Sequence, residues 1–211
     1  TDGGGATPPT IGPEDENGTD DPAHPSTQGQ NTVYEAGLGD AGDDSEITTG
    51  DIVVNAPDGI RSVTIEGTTL TYAELQDISD GVTPPVSIDT GEGTLVITGI
   101  RDVQGPTGAP TQLVIEYEYT LKDPVPHSGT YTDDIALQVT DNKPTPQTAN
   151  GTLTIAIIND VPTAVNDTNS VTEGNTVTGG VLGNDNPGAD GWTGGGNAVV
   201  GVVAGDNGGT P

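Results

Sequence analysis

The chain has 211 residues, enough for one β-sandwich with flanking segments or for two small domains. It carries 32 acidic residues against 4 basic ones, a formal charge of −28, with no Cys and only 30% hydrophobic residues. Four cations cannot build the basic face that nucleic acid requires. An acidic surface is repelled by anionic lipid, no apolar run approaches the roughly 20 residues of a membrane span, and the lack of Cys excludes disulfides and thiolate chemistry. A chain so poor in apolar residues and so self-repelling lies near the disordered class, so its folding calls for something that neutralises carboxylates. With oxygen ligands alone, the expected cation is Ca²⁺.

In chain order, residues 1–31 show almost no apolar periodicity; Pro8-Pro9, Glu14-Asp15-Glu16 and Asp20-Asp21-Pro22 read as a linker or extended tail. Residues 32–160 change character, with alternating β-branched residues punctuated by Gly, Pro and Asp. Strands are expected at 52–54, 60–66, 69–72 and 94–100, and a short helical turn around Tyr72–Ile78. The clearest strand is 113–121, where Leu113, Ile115, Tyr117, Tyr119 and Leu121 alternate with Val114, Glu116, Glu118 and Thr120. Two more follow, carried by Ile135, Leu137 and Val139, and by Leu153, Ile155 and Ile157. Asp58-Gly59 and Asn150-Gly151 are turn signals. Seven or more short strands without long helices predict an all-β fold, an Ig-like or cadherin-like antiparallel β-sandwich with flexible flanks. Residues 161–211 begin like a second, incomplete copy: Ser170-Val171-Thr172-Glu173 echoes Thr32-Val33-Tyr34-Glu35.

The chemistry concentrates where the two copies meet. The strand ending Ile157-Ile158 runs into Asn159-Asp160, Pro162 stops it, and Asp167 follows. Asp160, Asp167 and a loop carboxylate such as Asp141 are expected to converge on one Ca²⁺, with Asn and backbone carbonyls completing six to eight oxygens. The plainer alternative is that these are solvated turn residues. The run from Asp40 to Glu46 fits no twelve-residue EF-hand and reads as a solvated acidic loop. Asp133-Asp134 is either a ligand pair or an ordinary loop. Catalysis finds no support: His24 and His127 sit beside prolines, and Glu116 with Glu118 lies on the wet face of one strand without an aromatic cleft.

Val33-Tyr34-Glu35-Ala36-Gly37-Leu38, Val54-Asn55-Ala56-Pro57-Asp58-Gly59-Ile60, Asp160-Val161-Pro162-Thr163-Ala164-Val165-Asn166-Asp167 and Gly180-Val181-Leu182-Gly183-Asn184-Asp185, followed by Gly188-Ala189-Asp190-Gly191, resemble the Ig-like and cadherin-like tandem repeats of giant RTX adhesins exported by type I secretion. The resemblance covers about 32–211. It implies an extracellular, cell-surface extender module without enzymatic activity, stiffened by Ca²⁺ between repeats and serving adhesion and biofilm formation. By position it also implies Glu35 and Glu173 as ligands alongside Asp160 and Asp167. The expected partners are neighbouring repeats of the same chain and surface ligands of a host or biofilm. No nucleic acid or membrane insertion is expected, and the protein is expected to be a monomer. The departure from the pattern is the Pro-rich stretch 1–31, where a short Asp-x-Pro linker belongs. The alternatives are a Ca²⁺-assisted glycan- or peptide-binding module, using loops 40–50, 102–112 and 122–133, and an acidic disordered linker.

Overall fold

The computed structural model describes residues 8–13, 31–39, 42–104, 110–125 and 130–192. The chain divides into two compact units, Thr1–Asn159 and Asp160–Pro211. The first is built from β1 (Thr10–Pro13), β2 (Asn31–Tyr34), a 3-10 turn (Glu35–Gly39), β3 (Ile47–Asn55), β4 (Ile60–Ile65), β5 (Thr68–Thr71), α1 (Tyr72–Ser79), β6 (Val86–Asp89), β7 (Gly93–Gln104), β8 (Pro110–Leu121), β9 (Thr130–Asp141) and β10 (Thr148–Ile158).

These strands form two five-stranded sheets, in the orders β1-β3-β8-β7-β6 and β2-β10-β9-β4-β5. The chain crosses between them in the interleaved manner of an Ig-like sandwich, so the expected fold class holds. One pairing departs from an antiparallel scheme: β2 runs parallel to β10, from Asn31 opposite Ile155 to Tyr34 opposite Ile158. The edge strands β1, β6, β2 and β5 have four residues each, whereas β7, β8 and β9 have twelve.

Period-2 alternation is what produces these strands. In β8 the residues Leu113, Ile115, Tyr117, Tyr119 and Leu121 are buried and their neighbours face outward. Ile135, Leu137 and Val139 in β9 and Leu153, Ile155 and Ile157 in β10 close the core from the opposite sheet. The β4–β5 hairpin turns on Glu66 and Gly67, with φ of 43° and 78°, the positive pair that matches strand twist. In α1 the Thr71 hydroxyl accepts the Glu74 amide and the Glu74 carboxylate accepts the Thr71 amide, a capping box that turns Leu75 and Ile78 into the core.

Two expectations change. Thr10–Pro13, expected within a tail, pairs with β3 over Ile52–Asn55 and buries Ile11; one apolar residue in four leaves too faint a pattern to read. Asn150-Gly151 is no turn but lies within β10. Gly is needed there because a Cβ on Gly151 would lie 2.3 Å from the Ile11 carbonyl oxygen. Asp58-Gly59 does turn the chain, with Gly59 at φ 90°.

With no Phe in the chain, Tyr117 and Tyr119 fill the middle of the sandwich, and their hydroxyls need partners there. The Tyr119 hydroxyl donates to Asp133 Oδ2 at 2.8 Å, and the Thr90 hydroxyl donates to the same oxygen at 2.6 Å. The Tyr117 hydroxyl accepts from Asn31 Nδ2. Burial drives both phenols above their ordinary range, helped by the Asp133 hydrogen bond at Tyr119 and by the charge of Asp51 at Tyr117. An acid whose pKa is raised by folding keeps its proton in the fold and loses it in the unfolded chain near pH 10. The stability it supports is therefore complete below about pH 10 and declines as pH rises further. We expect Tyr117 and Tyr119 to ionise, by ultraviolet absorbance, only as the β-sheet circular-dichroism signal is lost. Ionisation of all the tyrosines ahead of unfolding would contradict this packing.

Candidate metal centre

Four of the predicted ligands belong to the first unit. Glu35 opens the 3-10 turn directly after β2 and has no exposed surface; its Oε1 accepts the Val125 amide at 2.7 Å. That bond ties the end of β2 to the segment beyond β8. Asp133 and Asp134 are neighbours on β9, so strand alternation sends them to opposite faces. Asp133 is buried against Tyr119 and Thr90, while Asp134 is exposed and accepts the Thr154 hydroxyl at 2.8 Å. They form neither a chelating pair nor a loop: each has a separate place in the sheet.

Asp141 ends β9 and is 1% exposed. Its Oδ1 accepts the amides of Gln147 at 2.8 Å and Lys143 at 3.3 Å, and its Oδ2 lies 3.8 Å from Lys143 Nζ, which also meets Asp58 at 2.9 Å. It organises its own loop. Asp141 also stands beside the start of β10, whereas Asp160 follows that strand's end. In the β9–β10 ladder Thr148 pairs with Thr140 and Ile158 with Thr130, a separation on the order of 35 Å along the strands. Asp141 therefore cannot share an ion with Asp160, two residues past Ile158.

Among its described residues the second unit has little regular structure. Thr163 and Asn186 exchange backbone hydrogen bonds at 2.8 Å, and Asp185 Oδ1 accepts the Val165 amide at 2.7 Å. Asp160 Oδ2 accepts the Ala189 amide at 2.6 Å. Gly188, at φ 76°, lies so close that a Cβ there would stand 2.6 Å from both Asp160 carboxylate oxygens. This turn delivers Asp190, whose carboxylate lies within 4.8 Å of that of Asp160. Two negative charges at that distance repel by roughly 1–3 kcal/mol, depending on exposure. A divalent cation between them removes the repulsion, so the Asp160–Asp190 pair can hold a metal ion.

Sequence reasoning named Asp160 and missed Asp190, which lies thirty residues further on. Asp167 and Glu173 are exposed and are not gathered with Asp160. The turn that folds Asp190 back is the Gly188-Ala189-Asp190-Gly191 segment, which was legible only as part of the resemblance.

Asp40, His24 and His127 lie outside the described residues. Asp43 Oδ1 accepts the Ser45 amide at 3.0 Å, a local turn. Glu116 accepts from Arg101 Nε at 2.8 Å, and Arg101 also meets Asp51. The proposed binding loops are shorter than expected, because 47–50, 102–104 and 110–112 are strand. No protein-family model, curated protein or solved structure matches the chain.

The assignment of Asp133 and Asp134 is directly testable. Asp133→Ala leaves the buried Tyr119 hydroxyl and the half-buried Thr90 hydroxyl without their acceptor and is expected to cost about 1–3 kcal/mol in chemical denaturation, with or without Ca²⁺. Asp134→Ala on the wet face is expected to stay within about 0.5 kcal/mol. Equal effects of the two substitutions would contradict the alternation.

Proposed function

We propose that this chain is a non-enzymatic extender module of a bacterial cell-surface adhesin, in which Ca²⁺ bound by Asp160 and Asp190 stiffens the chain where it leaves the sandwich. The observation that carries the reading is the approach of these two carboxylates just after the last strand of the first unit. Both are hard oxygen donors in a chain of charge −28, and Ca²⁺ tolerates the irregular six-to-eight-oxygen shells that Asp, Asn, backbone carbonyls and water supply. Glu35 and Glu173 stay as candidates on the resemblance alone.

The strand order adds support. Because β2 is parallel to β10, both strands run toward the same end of the first unit, the direction a head-to-tail array requires. In such an array the partners are neighbouring repeats, the location is extracellular, and the work is mechanical: holding a terminal binding region away from the cell.

Free Ca²⁺ at ten to a hundred times Kd adds about 1.4–2.7 kcal/mol per site. Thermal unfolding of the 211-residue chain is expected to shift upward in millimolar Ca²⁺ and to return with excess chelator. Asp160→Asn and Asp190→Asn should each remove most of that shift, and Asp167→Asn should leave it in place. A midpoint indifferent to Ca²⁺ would overturn the reading, as would an Asp167→Asn variant as impaired as Asp160→Asn.

A further inference from the structure

Along β10, the Ile11 carbonyl faces Gly151, and Asn31 pairs with Ile155 only four residues further on. A chain passing from β1 to β2 by the shortest route would need about that many residues. Instead, twenty positions separate Ile11 from Asn31, residues 14–30 lying between the two strands. The surplus corresponds to about 50 Å of extended chain.

The two strands are also held differently. β1 is a four-residue edge strand on β3, with Ile11 buried and its carbonyl seated over Gly151. β2 is equally short but is fastened at both ends. Asn31 binds the hydroxyl of Tyr117 in the opposite sheet, Val33 is fully buried, and Glu35 holds the Val125 amide. Tension applied through the chain ends pulls β2 toward its N-terminus and β10 toward its C-terminus. Two parallel strands loaded this way must slide past each other and break their ladder together rather than one bond at a time. That load reaches β2 only after β1 has left its seat, because β1 precedes β2 in the chain.

We infer that β1 is a releasable strand that yields first under tension, paying out its surplus length while the β2–β10 pair keeps the sandwich folded. The inference stands on strand order and chain length and does not depend on the calcium reading.

The test is single-molecule force spectroscopy on the 211-residue chain held by its two ends. The expected trace contains a short step of about 50 Å at lower force, then a main event of roughly 400 Å as residues 31–159 unravel. Deleting residues 15–26 should shorten the first step by about 40 Å and leave the main event unchanged. Ile11→Asp should abolish the short step and keep the main event. Extension from the second unit is common to all variants and cancels in the comparison, and chelator should leave the short step in place. A single event releasing the whole length of the first unit would overturn the inference. So would a short step that survives Ile11→Asp or keeps its size in the deletion variant.

Discussion

The first unit depends on two tyrosine side chains that carry the bulk of the core and must also satisfy their hydroxyls across it. Tyr117 and Tyr119 stand on β8, in one sheet, and their partners Asn31 and Asp133 stand on β2 and β9, in the other. The two bonds therefore join the layers directionally, which aliphatic packing alone does not do. They also dictate small residues elsewhere. A Cβ on Gly50 would lie 2.6 Å from the Tyr117 hydroxyl, and one on Gly93 2.2 Å from the Tyr119 ring. Glycine weakens a strand interior, and here it is kept because the tyrosine tips pass over it.

Charge is distributed by the same logic of separate tasks. The four cations lie on the first unit, each against a carboxylate or carbonyl: Arg101 bridges Asp51 and Glu116, Lys122 meets Asp89, Lys143 joins Asp58 with Asp141, and Arg61 donates to the Lys143 carbonyl. The exposed pairs among these contribute little individually, whereas Asp141 is buried at the end of β9. The second unit has no basic residue among its described positions, so Asp160 and Asp185 rest on backbone amides rather than on a cationic side chain.

Long strands with one wet face were legible in the sequence, and β8, β9 and β10 stand where alternation placed them. Among the four-residue strands β5 was expected, at 69–72, but β1 and β6 were not, because one or two buried side chains, such as Ile11 in β1 or Ile88 in β6, cannot establish a period. The site was half legible for a related reason. Asp160 is marked by the strand stop at Pro162, whereas Asp190 reaches it through a turn with a glycine at positive φ, and no local pattern reports a meeting across thirty residues. Asp133-Asp134 misled because the strand was expected to begin at 135. Once it begins at Thr130, alternation alone separates the two.

The brevity of the edge strands bears on how copies of such a module avoid one another. An unpaired strand edge is a template for adding a strand from another molecule, and here each sheet ends in a strand of four residues. Where the longer inner strands outrun these edges, single side chains occupy the backbone. The Ser79 hydroxyl meets both the amide and the carbonyl of Ile100, and Glu66 binds the Ala136 amide through its carboxylate and the Ala136 carbonyl through its own amide. Among the described residues, two molecules meeting side by side find little ladder to share along these edges.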